Sequence, residues 1–193
     1  MTDRQCFRAF AAASGGTSAT EFAFIAPILV ALFMIAIELP RAITTGARLS
    51  SAADVMADLT ASGDSPDLAD IFSAAQAVAT PYDVSAAGIV LTAGGVYQVG
   101  DDFVARVCSS AQRNGQARAV GSTIGTAPAG LTTNGARFVM AEVTMRYAAL
   151  FAVLPVINNW TYSYKVVWPV RDGKTYSGQP EVVLPNGRSC PAQ

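Results

Sequence analysis

The sequence predicts an α+β fold in which a long N-terminal helix is followed by a small antiparallel sheet that packs on it. Three observations predict this architecture. An apolar run at residues 22–39 is long enough to cross a membrane as a helix. Apolar residues between positions 49 and 79 recur at helical spacing, and several stretches after residue 81 alternate as half-buried strands do.

Composition limits the classes of function. Hydrophobic residues make up 51% of the 193 residues and charged residues only 14%, against about 25% charged in ordinary soluble domains. The net charge is −1 with no basic tract, so nucleic acid is not an expected partner. Histidine is absent, which removes the commonest general base and transition-metal ligand. We therefore predict no catalytic residue, metal or cofactor, and a protein that is not an enzyme.

The apolar run predicts one membrane span. Phe22 to Leu39 is broken by a single charge, Glu38, and measures about 27 Å as a helix, close to the hydrocarbon thickness of a bilayer. Pro27 lies inside it and is expected to loosen or kink the helix. A cleaved secretory signal would be shorter and end in a small-x-small site, which is missing here.

The junction before the span carries the sharpest motif. It reads Ser-Gly-Gly-Thr-Ser-Ala-Thr-Glu-Phe from residue 14 to residue 22. Taken alone, Glu21 is explained as a carboxylate that favours the positive end of the helix dipole. Gly16, four further residues, Glu21-Phe22 and the apolar run together resemble the class III prepilin peptidase site. With Pro27 and the acidic Glu38 near its end, the stretch is similar to TadE-like proteins of the tight-adherence (Tad, or Flp) pilus.

The resemblance implies a minor pseudopilin of a type IV pilus-assembly system. Prepilin peptidase would cut between Gly16 and Thr17, although Gly15 offers a second possible position. The implied parts are a leader at 1–16, a transmembrane and extended helix at 17–62, and a periplasmic α+β domain of type IV pilin-like layout at 64–193. The new amine at Thr17 would stand at i, i+4 from Glu21 and pair with it.

The same resemblance implies a bacterial inner-membrane protein with a cytoplasmic N-terminus and a periplasmic C-terminal domain. Its partners would be the membrane, the peptidase and other pilins or pseudopilins, with entry into the fibre left open. A membrane-anchored periplasmic binding module or enzyme is the alternative function. An adhesive von Willebrand-type domain is a third, but its Asp-x-Ser-x-Ser metal motif is missing from the sequence.

Two helices are predicted around residue 63. The first continues past the span and ends near Gly63, with its apolar face formed by Leu49, Ala52, Ala53, Met56 and Leu59. The second is capped around Asp64–Asp67 and ends before Pro81, with an apolar face at Leu68, Ile71, Phe72, Ala75, Val78 and Ala79. We interpret the nearby aspartates as capping residues because their spacing does not match a calcium loop.

Strands follow residue 81. Gly94-Gly95 predicts a two-residue hairpin turn between residues 88–93 and 96–99. Alternation predicts strands at 139–147 and 161–170, joined by a packed apolar connection at 148–157, whereas glycine, asparagine and serine predict a mobile loop at 109–135. The aromatic side chains of Tyr162, Tyr164 and Trp168 are expected to pack under the helix, with a binding surface as the alternative.

Two cysteines lie after the span. In an oxidising compartment Cys108 and Cys190 are able to form one disulfide, and otherwise they are two buried free thiols.

Overall fold

The computed structural model describes residues 16–63, 67–151, 155–176 and 178–191. The predicted leader up to Gly15, the capping residues 64–66 and Cys6 lie outside them. The helices are α1 (Gly16–Ala61), α2 (Leu68–Ala79) and the short α3 (Pro155–Asn158). The strands are β1 (Gly88–Val99), β2 (Asp102–Arg113), β3 (Thr123–Thr126), β4 (Arg137–Arg146), β5 (Thr161–Pro169), β6 (Lys174–Tyr176) and β7 (Gln179–Glu181). The predicted α+β class is confirmed.

Five strands form one antiparallel sheet in the order β3-β2-β1-β4-β5, and β6 and β7 form a separate two-stranded sheet. The central strand β1 pairs with β2 on one side and with β4 on the other. The register of β1 with β2 shifts between Ala93 and Gly94, where a β-bulge bends the sheet.

The second half of α1 packs on one face of this sheet. Its buried residues recur every three or four positions, as expected for one helix face: Glu38, Ala42, Thr45, Leu49, Ala52, Ala53, Met56, Ala57 and Thr60. Most of them are small, so the sheet approaches the helix closely. A Cβ at the buried Gly46 would lie 2.8 Å from the Tyr164 hydroxyl oxygen, which explains a glycine in mid-helix.

The strand β5 runs beside α1 in the same direction. The Tyr162 hydroxyl donates a hydrogen bond to the Ala42 carbonyl at 2.6 Å, and Trp168 Nε1 donates to Asp54 Oδ1 at 2.8 Å. Beyond β5, the Arg171 side chain pairs with Asp58. The connection between β4 and β5 therefore lies at the end of the sheet nearest the apolar run of α1.

The sheet is covered on both faces. The larger core lies between the sheet and the two long helices, and a second cluster on the opposite face contains Val96, Ala105, Phe138 and Met140. This second cluster explains why β4 is buried on both faces between Arg137 and Ala141, whereas alternation predicted a half-buried strand.

The hairpin predicted at Gly94-Gly95 is wrong. The strand β1 continues through both glycines, and the turn falls at Gly100-Asp101, where Gly100 adopts a φ of 64°. A Cβ at Gly94 would lie 2.8 Å from the Arg106 carbonyl oxygen and would also meet the Phe138 ring. The glycine pair thus permits close approach of neighbouring chain segments and does not form a turn.

The predicted mobile loop at 109–135 is also wrong in part. Residues 109–113 complete β2 and Thr123–Thr126 form β3. Ser109 is fully buried, and its hydroxyl accepts a hydrogen bond from the Leu184 amide at 3.1 Å, because the C-terminal segment covers this part of the sheet.

The helix predictions need one correction. Helical spacing predicts Leu59 on the buried face of α1, but Leu59 is 42% exposed and Thr60 is fully buried in its place. The helix α2 has the predicted bounds, with Ile71, Ala75 and Ala79 buried, and Asp67 Oδ1 accepts a hydrogen bond from the Ala69 amide at 2.8 Å.

Candidate functional site

The junction that carries the processing motif forms the first turns of α1. The helix begins at Gly16 and includes Thr17, and Glu21 follows as an exposed side chain. The structure describes side chains of this helix from Ser18 onward. The pairing of Glu21 with an amine at Thr17 therefore stays a prediction, as does the cut itself.

The apolar run of α1 (residues 22–39) exposes large side chains on all sides. Phe22 is 65% exposed, Phe24 80%, Phe33 67% and Leu39 44%, and the helix continues through Pro27. The most apolar window of the helix has a mean hydropathy of 2.6 and is only 6% buried. By length and composition α1 is able to cross a membrane, and its bare apolar surface is suited to lipid. These properties indicate single-pass membrane anchoring.

The Glu38 side chain does not lie on this exposed apolar surface of α1. Its side chain is only 3% exposed and turns toward the sheet. Its Oε1 accepts hydrogen bonds from the Tyr147 hydroxyl at 2.7 Å and the Leu150 amide at 3.0 Å, and its Oε2 accepts one from the Phe151 amide at 3.0 Å. We call this arrangement the Glu38 clip. It fastens the start of the β4–β5 connection to the helix at the end of the apolar run.

The clip satisfies a carboxylate that would otherwise be costly to bury. Burial raises the pKa of Tyr147 well above its usual value, and the hydrogen bond to Glu38 and the negative charge of Glu38 raise it further. The Tyr147 hydroxyl therefore stays protonated and able to donate across the ordinary pH range. The sequence predicts Glu38 only as the acidic end of the run. A carboxylate inside an apolar helix needs hydrogen-bond donors from elsewhere in the chain, and this need is the signal that points to the clip.

Aromatic side chains of β5 continue this contact along α1. The rings of Tyr147 and Tyr162 meet edge to face with centroids 6.2 Å apart, and Tyr162 stacks on Tyr164 at 6.4 Å. Burial is the main cause that raises the pKa of Tyr162 to about 12. Tyr162 is 5% exposed, and Tyr164 and Trp168 are partly buried against the same core. Their contacts are those of packing residues under the helix.

The C-terminal segment is fixed to the sheet by two adjacent contacts. A disulfide joins Cys108 on β2 to Cys190, with their Cα atoms 4.7 Å apart. Arg137 Nε donates to Glu181 Oε1 at 2.8 Å, with both side chains almost fully buried, and the Cys190 amide donates to Glu181 Oε2 at 2.9 Å. The disulfide and the ion pair therefore hold the same short stretch of chain.

The described residues contain no group of three or more cysteine, aspartate or glutamate side chains that could hold a metal ion. The surface has shallow grooves. One of them, near the apolar run, is lined by Arg41, Tyr82, Asp83 and Arg146 among others.

Comparison with known proteins gives one result. No curated protein and no solved structure matches the chain. The family model of TadE-like proteins matches residues 16–58, which cover the junction, the apolar run and most of the sheet-packed half of α1. The match supports a protein associated with the Tad pilus and leaves the sheet domain without a counterpart. The resemblance to TadE-like proteins is thus confirmed over residues 16–58, which match the family model.

Proposed function

We propose that this chain is a minor pseudopilin of a Tad/Flp pilus-assembly system, with a structural and not a catalytic role. The observation that carries the proposal is the continuity of α1. One unbroken helix begins at the processing motif, presents an apolar surface for lipid or neighbouring helices, and then packs on the sheet domain. The TadE-like match covers these three parts together.

The proposed topology places the N-terminus in the cytoplasm and the sheet domain in the periplasm. The disulfide between Cys108 and Cys190 supports this side for the domain, because the periplasm is oxidising. In this arrangement residues 1–16 are the leader, residues 17–62 the transmembrane and extended helix, and residues 64–193 the periplasmic domain. A periplasmic phosphatase reporter fused after residue 193 should be active, and activity of cytoplasmic reporters alone would contradict the topology.

Processing by prepilin peptidase, with cleavage after Gly16, is the second part of the proposal. Glycine has no side chain, so the unwound chain can approach an active site at the membrane face closely, whereas the bulk of a valine side chain would obstruct this approach. Glu21 is exposed in the helix, so it is placed to meet a new amine at Thr17 in its own chain or a neighbouring subunit. This pairing would set the position of the subunit during assembly.

The direct test is N-terminal sequencing of the protein from strains with and without a prepilin peptidase. We expect a mature chain that begins at Thr17 only when the peptidase is present, with the apolar helix retained. Gly16→Val should block cleavage and leave membrane insertion intact. The matched control is Gly15→Val, which should still be cut after Gly16.

The variants also separate this proposal from an anchored enzyme or binding module. Glu21→Ala should still be processed but should fail to support pilus assembly, because the amine loses its partner. A native chain that keeps its leader, or one cut after Leu39, would contradict the pseudopilin proposal and would leave α1 as a simple anchor or signal.

A further inference from the structure

We propose that the described parts of the β4–β5 connection (residues 147–151 and 155–160) make a second lipid contact, in which Leu150 and Trp160 enter the headgroup boundary of the bilayer that α1 crosses. The proposal rests on the membrane anchoring of α1 and goes beyond it. It assigns part of the sheet domain to the membrane surface.

The position of the connection follows from how β5 lies on α1. Contacts advance in step along both elements, from Tyr162 at Ala42 to Trp168 at Asp54. The chain that precedes Tyr162 therefore lies toward lower residue numbers of α1, which is the direction of the apolar run. No other connection of the described sheet is fastened to α1 as far toward its N-terminus.

The Glu38 clip fixes the height of this connection. The amides of Leu150 and Phe151 lie 3.0 Å from the Glu38 carboxylate oxygens, so these residues sit at the level where the apolar run ends. A span of residues 22–39 places that level at the boundary between hydrocarbon and headgroups. A rigid set of three hydrogen bonds holds the connection there.

The exposed side chains suit that position. Outside α1, the large apolar side chains exposed in the described residues are Val99, Val120, Leu150 and Trp160. Two of the four lie in this one connection, with Leu150 55% and Trp160 43% exposed. Tryptophan is enriched at the boundary between lipid and water because its ring is apolar while its N–H needs a polar partner. The indole of Trp160 also stacks on Tyr162 with centroids 6.0 Å apart, which holds it at this end of the domain.

Charge at the same end favours lipid headgroups as the occupant. Arg41 lies two residues after the end of the apolar run, and its guanidinium carbon lies 5.8 Å from the Tyr82 ring centre. Arg146 lines the same groove and is held by the Asn159 side chain at 2.6 Å. Asp83 is the opposing charge in this groove. Two cations against one exposed carboxylate, beside an apolar edge, match the phosphate layer above hydrocarbon.

The test uses the two tryptophans of the chain as depth reporters. The full-length protein and the Trp160→Phe variant are reconstituted in vesicles of phosphatidylcholine and phosphatidylglycerol, with and without acyl chains brominated near the headgroup. We expect brominated lipid to quench most of the Trp160 emission, obtained as the difference between the two proteins. Trp168 is the internal control, because its partner Asp54 lies about 24 Å beyond Glu38 along the helix and thus far from the bilayer. The Trp160→Phe variant, whose emission comes from Trp168, should therefore show little quenching.

Two outcomes would overturn the inference. Trp160 emission that is unquenched and solvent-like would place the connection in water. Blue-shifted emission that is unquenched by brominated lipid and rises with the protein-to-lipid ratio would assign the surface to a second copy. Flotation of the vesicles separates these results from a failure of the anchor. Protein that floats with the vesicles while Trp160 is unquenched refutes only this inference. Protein that does not float with them refutes the membrane anchoring itself. A Trp168→Phe variant, with Trp160 as its single reporter, repeats the measurement independently.

Discussion

Replacing Tyr147 with phenylalanine tests whether the Glu38 clip fastens the sheet domain to α1. The substitution removes one hydroxyl and keeps the ring, so the edge-to-face contact with Tyr162 is retained. Glu38 then keeps its two backbone donors but loses the hydrogen bond of 2.7 Å at Oε1. The change is confined to a single donor on a carboxylate that is 3% exposed.

The expected loss follows from the charge of the acceptor. A hydrogen bond to a charged group contributes about 1.5–3 kcal/mol, against about 0.5–1.5 kcal/mol for a neutral pair. Tyr162→Phe is the matched control, because Tyr162 is equally buried and donates from the same side of the sheet to a neutral acceptor, the Ala42 carbonyl. Tyr147→Phe should therefore lower the free energy of unfolding by roughly twice as much as Tyr162→Phe.

Urea unfolding of the full chain in mild detergent micelles, followed by near-ultraviolet circular dichroism, measures both values. Hydrogen exchange supplies a local readout: in Glu38→Ala the amides of Leu150 and Phe151 should exchange rapidly, while those of β4 stay protected. The clip does not fasten the domain if Tyr147→Phe lowers the free energy of unfolding no more than Tyr162→Phe does, or if Glu38→Ala leaves the two amides protected.

Three further predictions concern the sheet domain. Without reduction, intact-mass analysis should show neither Cys108 nor Cys190 alkylated, and two alkylated thiols in the untreated protein would contradict the disulfide. Reduction of the disulfide should lower the free energy of unfolding by about 2–4 kcal/mol, because the bond closes a long loop with a sequence separation of 82. The raised pKa of Tyr162, about 12 against its usual 10.0, means that the folded state holds this proton more tightly than the unfolded chain. Stability should therefore be full below pH 10, fall as the pH rises toward 12, and follow the tyrosinate absorbance, and a flat urea midpoint over this range would be inconsistent with it. Gly94→Ala should lower the free energy of unfolding by about 1–3 kcal/mol through overpacking. Gly63→Ala should be nearly neutral, because its new Cβ would have no neighbour closer than 4.0 Å among the described residues. Equal effects of the two substitutions in thermal melts would refute the close-approach explanation.

The sequence was sufficient for the elements whose signals are local. The apolar run of α1, the face of α2 and the alternation of β5 each depend on spacing within one segment, and the structure has these elements where spacing predicts them. The error at Leu59 shows the limit of such reasoning. The buried stripe advances by three or four residues from Met56 to Thr60, so helix geometry buries a threonine and exposes the neighbouring leucine.

The missed features depend on partners far away in the chain. Gly94-Gly95 carries the same letters as a hairpin turn, and only the Phe138 ring and the Arg106 carbonyl of the flanking strands reveal that small residues are required there. Ser109 and Ser110 look like loop residues. In the fold their hydroxyls accept from the Leu184 amide and donate to the Leu91 carbonyl, so they fit strand β2 under cover of other segments.

The candidate site divides in the same way. The processing motif and the apolar run were visible in the sequence, but the Glu38 clip was not, because two of its three donors are backbone amides that no residue pattern encodes. The clip has a consequence for assembly. Two carboxylates border the apolar run, and Glu38 is already occupied by Tyr147 and the β4–β5 connection, whereas Glu21 is exposed. If subunits pair through a carboxylate of α1 at this run, Glu21 is therefore the one that can serve without unfastening the sheet domain. Removing the charge at the two positions should then have different effects. Glu21 variants should fold normally but fail to assemble, whereas Glu38 variants should first lose stability of the sheet domain.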